Sequence, residues 1–89
     1  MPRFMAFHTV PGITEKSFKA ALDRSRKWRP DRRTTILKAY CNFSDGKIVS
    51  ECEAADVAQF EEWINGTGWS HEAIYKVDIV QQAGNFWSV

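Results

Sequence analysis

Cysteine is scarce in this sequence. Only Cys41 and Cys52 occur in 89 residues, with no C-x-x-C pair. That is too few for a disulfide scaffold, and neither a thioredoxin-like motif nor a zinc ribbon is present. Three prolines and five glycines are spread along the chain, so no low-complexity linker divides it. The formal net charge is only +1. Such a chain has no global field to draw it to nucleic acid or to an anionic membrane. No apolar run approaches the ~20 residues of a spanning helix. No basic stretch followed by an apolar run opens the sequence. These absences predict a cytoplasmic protein that binds neither membrane nor nucleic acid.

Aromatic side chains, in contrast, are plentiful: four Trp, six Phe and two Tyr. A single domain of this length buries a modest share of its surface. Some of the aromatic surface is therefore expected to be covered by a partner subunit.

Local patterns give the order of elements. "RFMAFHTV" (3–10) is a strand that ends at the Pro11-Gly12 turn. Thr14 is placed to cap a helix over "EKSFKAALDRSRKW", with Phe18, Ala21, Leu22, Ser25 and Trp28 along one face. Pro30 requires that helix to stop by Arg29. "TTILKAYCNF" and "KIVSECEA" form a hairpin about Asp45-Gly46. Asp56 and Gln59 open a second helix with Val57, Phe60, Trp63 and Ile64 on its apolar side, closed by Asn65-Gly66. "AIYKVDIV" (73–80) alternates and is the last strand.

The result is β-α-β-β-α-β, the ferredoxin-like split βαβ arrangement of the α+β class. It predicts a four-stranded antiparallel sheet with two helices on one face and strand order 4-1-3-2. Residues 1–80 form the domain and 81–89 a C-terminal tail.

A two-residue turn at Asp45-Gly46 pairs Lys38 with Glu53. It turns Leu37, Ala39, Cys41, Phe43, Ile48, Ser50, Cys52 and Ala54 toward the helices. Cys41 and Cys52 are then diagonal neighbours, too far apart to bridge. Met5 and Phe7 are read as inward in the first strand, and Tyr75, Val77 and Ile79 in the last. The helix-free face then collects His8, Lys38, Tyr40, Glu51, Glu53, Lys76 and Asp78 among Phe4, Ile36, Val49 and Ile74. Two such sheets can pair into a homodimeric α+β barrel with these polar groups inside, where partial burial shifts pKa values.

The opening "PRFMAFHTVPGIT", the central "KAYCNFSDGKIVSECEAADVAQFEEW" and the later "IYKV" resemble a family of small, largely uncharacterised ferredoxin-like proteins. The family includes a nickel-binding protein and lies within the dimeric α+β barrel superfamily. The resemblance runs to about Val80. It differs at His8-Thr9, where the family often has two histidines, and at Ser50, where the family has cysteine. The resemblance implies a divalent transition metal, nickel-like, as a candidate cofactor.

Two kinds of site follow from these expectations. In a metal site, His8 supplies imidazole and Glu51, on the neighbouring strand, a carboxylate. In a small-molecule site, His8, Tyr40, Glu51 and Lys76 line the barrel interior. The functional reading is a small binding protein. The alternative is a cofactor-free enzyme of the barrel type, monooxygenase- or isomerase-like, with His8 as acid/base and Tyr40 positioning. A third reading is a surface interaction module using the basic run 24–33, and the plain reading of His8 itself is a hydrogen-bonded histidine at a strand end. The basic run "RSRKWRPDRR" (24–33) is read chiefly as cations at a helix C-terminus.

Overall fold

The computed structural model describes the backbone of residues 1–28 and 34–89, and the side chains of 1–25 and 34–89. The strands are β1 (Arg3–Thr9), β2 (Thr34–Asn42), β3 (Lys47–Ala54) and β4 (Ala73–Val77), with a terminal pair β5 (Ile79–Gln82) and β6 (Asn85–Ser88). The helices are α1 (Glu15–Trp28) and α2 (Val57–Thr67). The main sheet has the order β2-β3-β1-β4, all neighbours antiparallel, as the sequence predicts. Trp28 has its side chain outside the described residues, as does most of the basic run.

Each helix begins where its cap predicts. Thr14 Oγ1 accepts from the Ser17 amide at 3.1 Å, and Ser17 Oγ accepts from the Thr14 amide at 2.9 Å. Asp56 Oδ1 accepts from the Gln59 amide at 2.9 Å. Removing this second cap by Asp56→Ala is expected to cost about 1 kcal/mol of unfolding free energy, read from urea denaturation. Helix α2 runs past Asn65-Gly66 and ends at Gly68, whose φ of 80° takes the left-handed cap. Gly66 lies within the helix and against α1, where a Cβ would sit 2.9 Å from Ser25 Oγ. Ser25, fully buried, donates to the Trp63 carbonyl at 2.8 Å and ties the helices together.

The core lies between helices and sheet. Phe60 and Ile64 of α2 are fully buried, and Trp63 nearly so, against Phe4, Ala6, Ile48, Cys52 and Ala54. Each large apolar side chain so buried contributes on the order of 2–3 kcal/mol. Val57, expected in this stripe, is exposed in the first turn of α2.

Three local features depart from expectation. The β2–β3 connection is a four-residue loop, with Asn42 opposite Lys47. Asn42 Oδ1 accepts from the Asp45 amide at 3.0 Å and the Ser44 hydroxyl at 2.9 Å, an Asx-type turn that closes the hairpin earlier than Asp45-Gly46 alone would. Lys38 therefore faces Glu51 instead of Glu53. Next, a bulge between Ile36 and Lys38 shifts the register. Ile36 turns inward opposite Cys52, and Leu37 is pushed out to solvent. Finally, the last strand breaks at Asp78. Residues 79–88 form a separate two-stranded hairpin instead of an extended strand and a tail.

The most consequential correction concerns β1 and β4. Phe4, Ala6 and His8 face the helices, while Met5 and Phe7 face away, the reverse of the sequence reading. Because Ala6 pairs with Ile74 and Met5 with Tyr75, β4 is reversed too: Ile74 packs on the core and Tyr75 is open to solvent.

Candidate functional site

His8 shows what this reversal does. It is 1% exposed and both ring nitrogens are occupied. Nδ1 lies 3.0 Å from the Ser70 carbonyl oxygen, and Nε2 lies 2.8 Å from Ser50 Oγ. A carbonyl only accepts, so Nδ1 carries the proton and donates. Nε2 then accepts from the Ser50 hydroxyl in the neutral ring. Trp69 meets the imidazole edge-on, with ring centroids 5.3 Å apart. Burial lowers the His8 pKa from its ordinary value, and the hydrogen bond to Ser70 partly opposes this. His8 is thus a neutral, satisfied core residue. It pins the Ser70 segment to the middle of the sheet, assisted by Ser70 Oγ donating to the Thr9 carbonyl at 3.0 Å.

The expected site residues do not converge. Met5 is opposite Glu51, so Glu51 lies on the helix-free face, whereas His8, opposite Ile48, lies on the helix side. A metal ion held jointly by His8 and Glu51 is incompatible with that placement. Among the described residues, no group of three or more His, Cys, Asp and Glu could hold a metal ion. His71 is exposed in the connector before β4. Tyr40 shares the open face with Glu51, but Lys76 pairs with Phe4 and belongs to the helix side of the edge strand. His8 as acid/base with Tyr40 as positioning group is excluded for the same reason: the sheet lies between them. Cys41 and Cys52 are both thiols, Cys52 fully buried, and burial raises the Cys41 pKa.

The helix-free face contains a different constellation. Arg3 sits between two carboxylates, 3.6 Å from Glu51 Oε2 and 3.4 Å from Glu53 Oε1. Its Nε is shielded from solvent and has no acceptor among the described residues. Lys38, opposite Glu51, brings the patch to charge balance. Around it stand Met5, Val49, Phe7, Tyr40 (63% exposed) and Tyr75 (60% exposed), the last two unusually open for aromatic rings. Phe7 and Tyr75 meet edge to face, with centroids 6.0 Å apart. Sequence reasoning missed Arg3 because it was set at the start of its strand and assigned to no face. The alternation through Met5 and Phe7 carries the signal once the strand's inward side is known.

On the helix side, a shallow cleft of about 290 Å³ opens between α1 and the end of α2, lined by residues including Ser17, Arg24 and Trp69. Arg24 is already committed there, donating to the Thr67 carbonyl at 2.7 Å.

No family model matches the sequence, and no curated protein matches it. Among solved structures, SCO4226 from Streptomyces coelicolor A3(2) is similar in fold, with a TM-score of 0.78 at 19% identity. The match covers 89% of this chain and 99% of that one. At that identity the likeness concerns the fold alone: two helices packed on a four-stranded antiparallel sheet. No helix among the described residues is long and apolar enough to cross a membrane.

Proposed function

We propose that the protein is a homodimer whose helix-free faces meet, and that it holds a small, uncharged organic molecule between them. The observation that carries this reading is Arg3. Its Nε donor is out of solvent and has no acceptor among the described residues, at the start of β1 on the face that carries the exposed rings. A shielded donor without an acceptor is costly and rare. An acceptor group of a ligand, such as a carbonyl, would satisfy it. The flanking Glu51 and Glu53 neutralise Arg3 and disfavour an anion. Tyr40, Tyr75 and Phe7 supply flat apolar contact. Facing sheets would shut this surface away from water, where few polar groups suffice to orient a ligand.

Ligand-observed NMR with a set of neutral aromatic ketones and amides tests the reading. Binding is expected to be saturable, and to weaken at least tenfold in Tyr40→Ala and Arg3→Met. No binding, or binding unchanged in both variants, would sink it. The nickel-like reading has its own check, a nickel titration of tag-free protein observed at the His8 imidazole. With both nitrogens engaged, His8 is expected to show no saturable response.

A further inference from the structure

Among the described residues, the hairpin β5–β6 has little of its own chain to rest on. Its main contacts are between its own two strands, closed at the base by the Val89 amide donating to the Asp78 carbonyl at 3.1 Å. Every strand residue except Val80 is exposed. A lone two-stranded hairpin is at best marginally stable in water. Its turn adds strain, because Ala83 holds a φ of 54°. Yet from Ile79 to Val89 the segment contains no charged side chain, and it carries Phe86, which is 69% exposed, beside Ile79 and Trp87. Depletion of charge with enrichment of aromatics is the composition of an interface centre.

We propose that this hairpin is a clasp that lies on the open sheet face of a second copy of the chain. The inference rests on the face-to-face dimer proposed above and names the element that completes it. Position supports the occupant: the hairpin starts two residues after Val77, which ends the edge strand β4 beside Tyr75, so it stands at the rim of that face. Area supports it as well. With about 200 Å² per large side chain, Leu37, Phe7, Tyr40 and Tyr75 expose roughly 400 Å². Ile79, Phe86, Trp87 and Val89 add about as much again, bringing the total near the ~800 Å² per partner of a stable interface. The face without the hairpin supplies about half of that requirement. In a two-fold pair the exchange is reciprocal, each hairpin covering the other copy's rings.

The test is sedimentation equilibrium on the full chain, on the Phe86→Ser/Trp87→Ser double variant and on a chain ending at Asp78. Isotope-filtered NOEs between labelled and unlabelled copies accompany it. The clasp predicts a dimer for the full chain and at least tenfold weaker association for both variants. It also predicts intermolecular NOEs from Phe86 and Trp87 to Phe7, Tyr40 or Tyr75. The double variant keeps the domain sequence intact, so it decides the matter if the shortened chain fails to fold. A full-chain dimer that neither change weakens, with NOEs from Phe86 confined to its own copy, would overturn the clasp and leave the face-to-face pair standing. A full chain that is monomeric throughout, or a hairpin found on a different protein or on lipid vesicles, would overturn the clasp as well. The monomer would overturn the pair too.

Discussion

His8→Ala is expected to destabilise the domain by about 3–4 kcal/mol, measured by urea unfolding. Two physical losses combine. Truncation leaves a cavity against Trp69 in a region with almost no exposed atoms. It also strands the Ser50 hydroxyl and the Ser70 carbonyl, which His8 now satisfies. In a domain of this size that is a large share of the total stability. The same contacts set a pH dependence. The unfolded imidazole takes up a proton near its ordinary value of about 6.5. The folded ring resists protonation, because burial lowers its pKa. Between those two values the unfolded state binds more protons, so stability falls as pH drops below about 6.5 and is level above it. The groups facing the ring partly cancel: His71 lowers its pKa and Glu72 raises it. A His8→Asn variant is expected to lose that slope. An unchanged acid slope in the variant would place its origin elsewhere.

Gly46→Ala is expected to cost about 3 kcal/mol, against about 1 kcal/mol for Gly12→Ala. Both glycines have positive φ, 66° and 78°. They differ in surroundings. A Cβ on Gly46 would stand 2.7 Å from the Val10 carbonyl oxygen, whereas nothing lies within 4 Å of one on Gly12. The neighbour cannot withdraw, because the Val10 amide donates to the Gly46 carbonyl at 2.7 Å and fixes the two backbones together. Thermal melts of the two variants side by side separate backbone strain, which both share, from collision, which only Gly46 suffers. Equal losses would refute the collision account.

The path of the chain was legible because it rests on local signals of large effect. Thr14 and Asp56 mark helix starts, and Pro11-Gly12 marks a strand end. The strand order follows from these elements. Facing was harder, because β1 has large apolar residues on both sides. Phe4 with Ala6 and Met5 with Phe7 satisfy a two-residue period equally well. Size favours the second pair, but packing chose the first: the inner wall of β3 is built from Ser50, Cys52 and Ala54, which leaves room for Phe4 against Phe60. Polarity points His8 outward, since nothing local announces that Ser50 and Ser70, 42 and 62 residues away, supply its partners. The bulge at Leu37 was equally silent, because one extra residue leaves the composition of a strand unchanged. Tyr40 and Glu51 share the helix-free face on the pattern of their hairpin alone, and Arg3 joins them only once the inward side of β1 is settled.

The bulge has a wider consequence. The sheet has two borders, β2 and β4, where unpaired backbone groups would invite another strand to add on. At Leu37 the ladder of β2 loses its regular spacing and presents a kink to any incoming chain. Border β4 is five residues long and carries Lys76 before it breaks at Asp78. Neither border is a good template for open-ended stacking into fibres. In the proposed pair the contact falls instead to the broad surface of the sheet, where a two-fold arrangement closes on itself and stops at two copies.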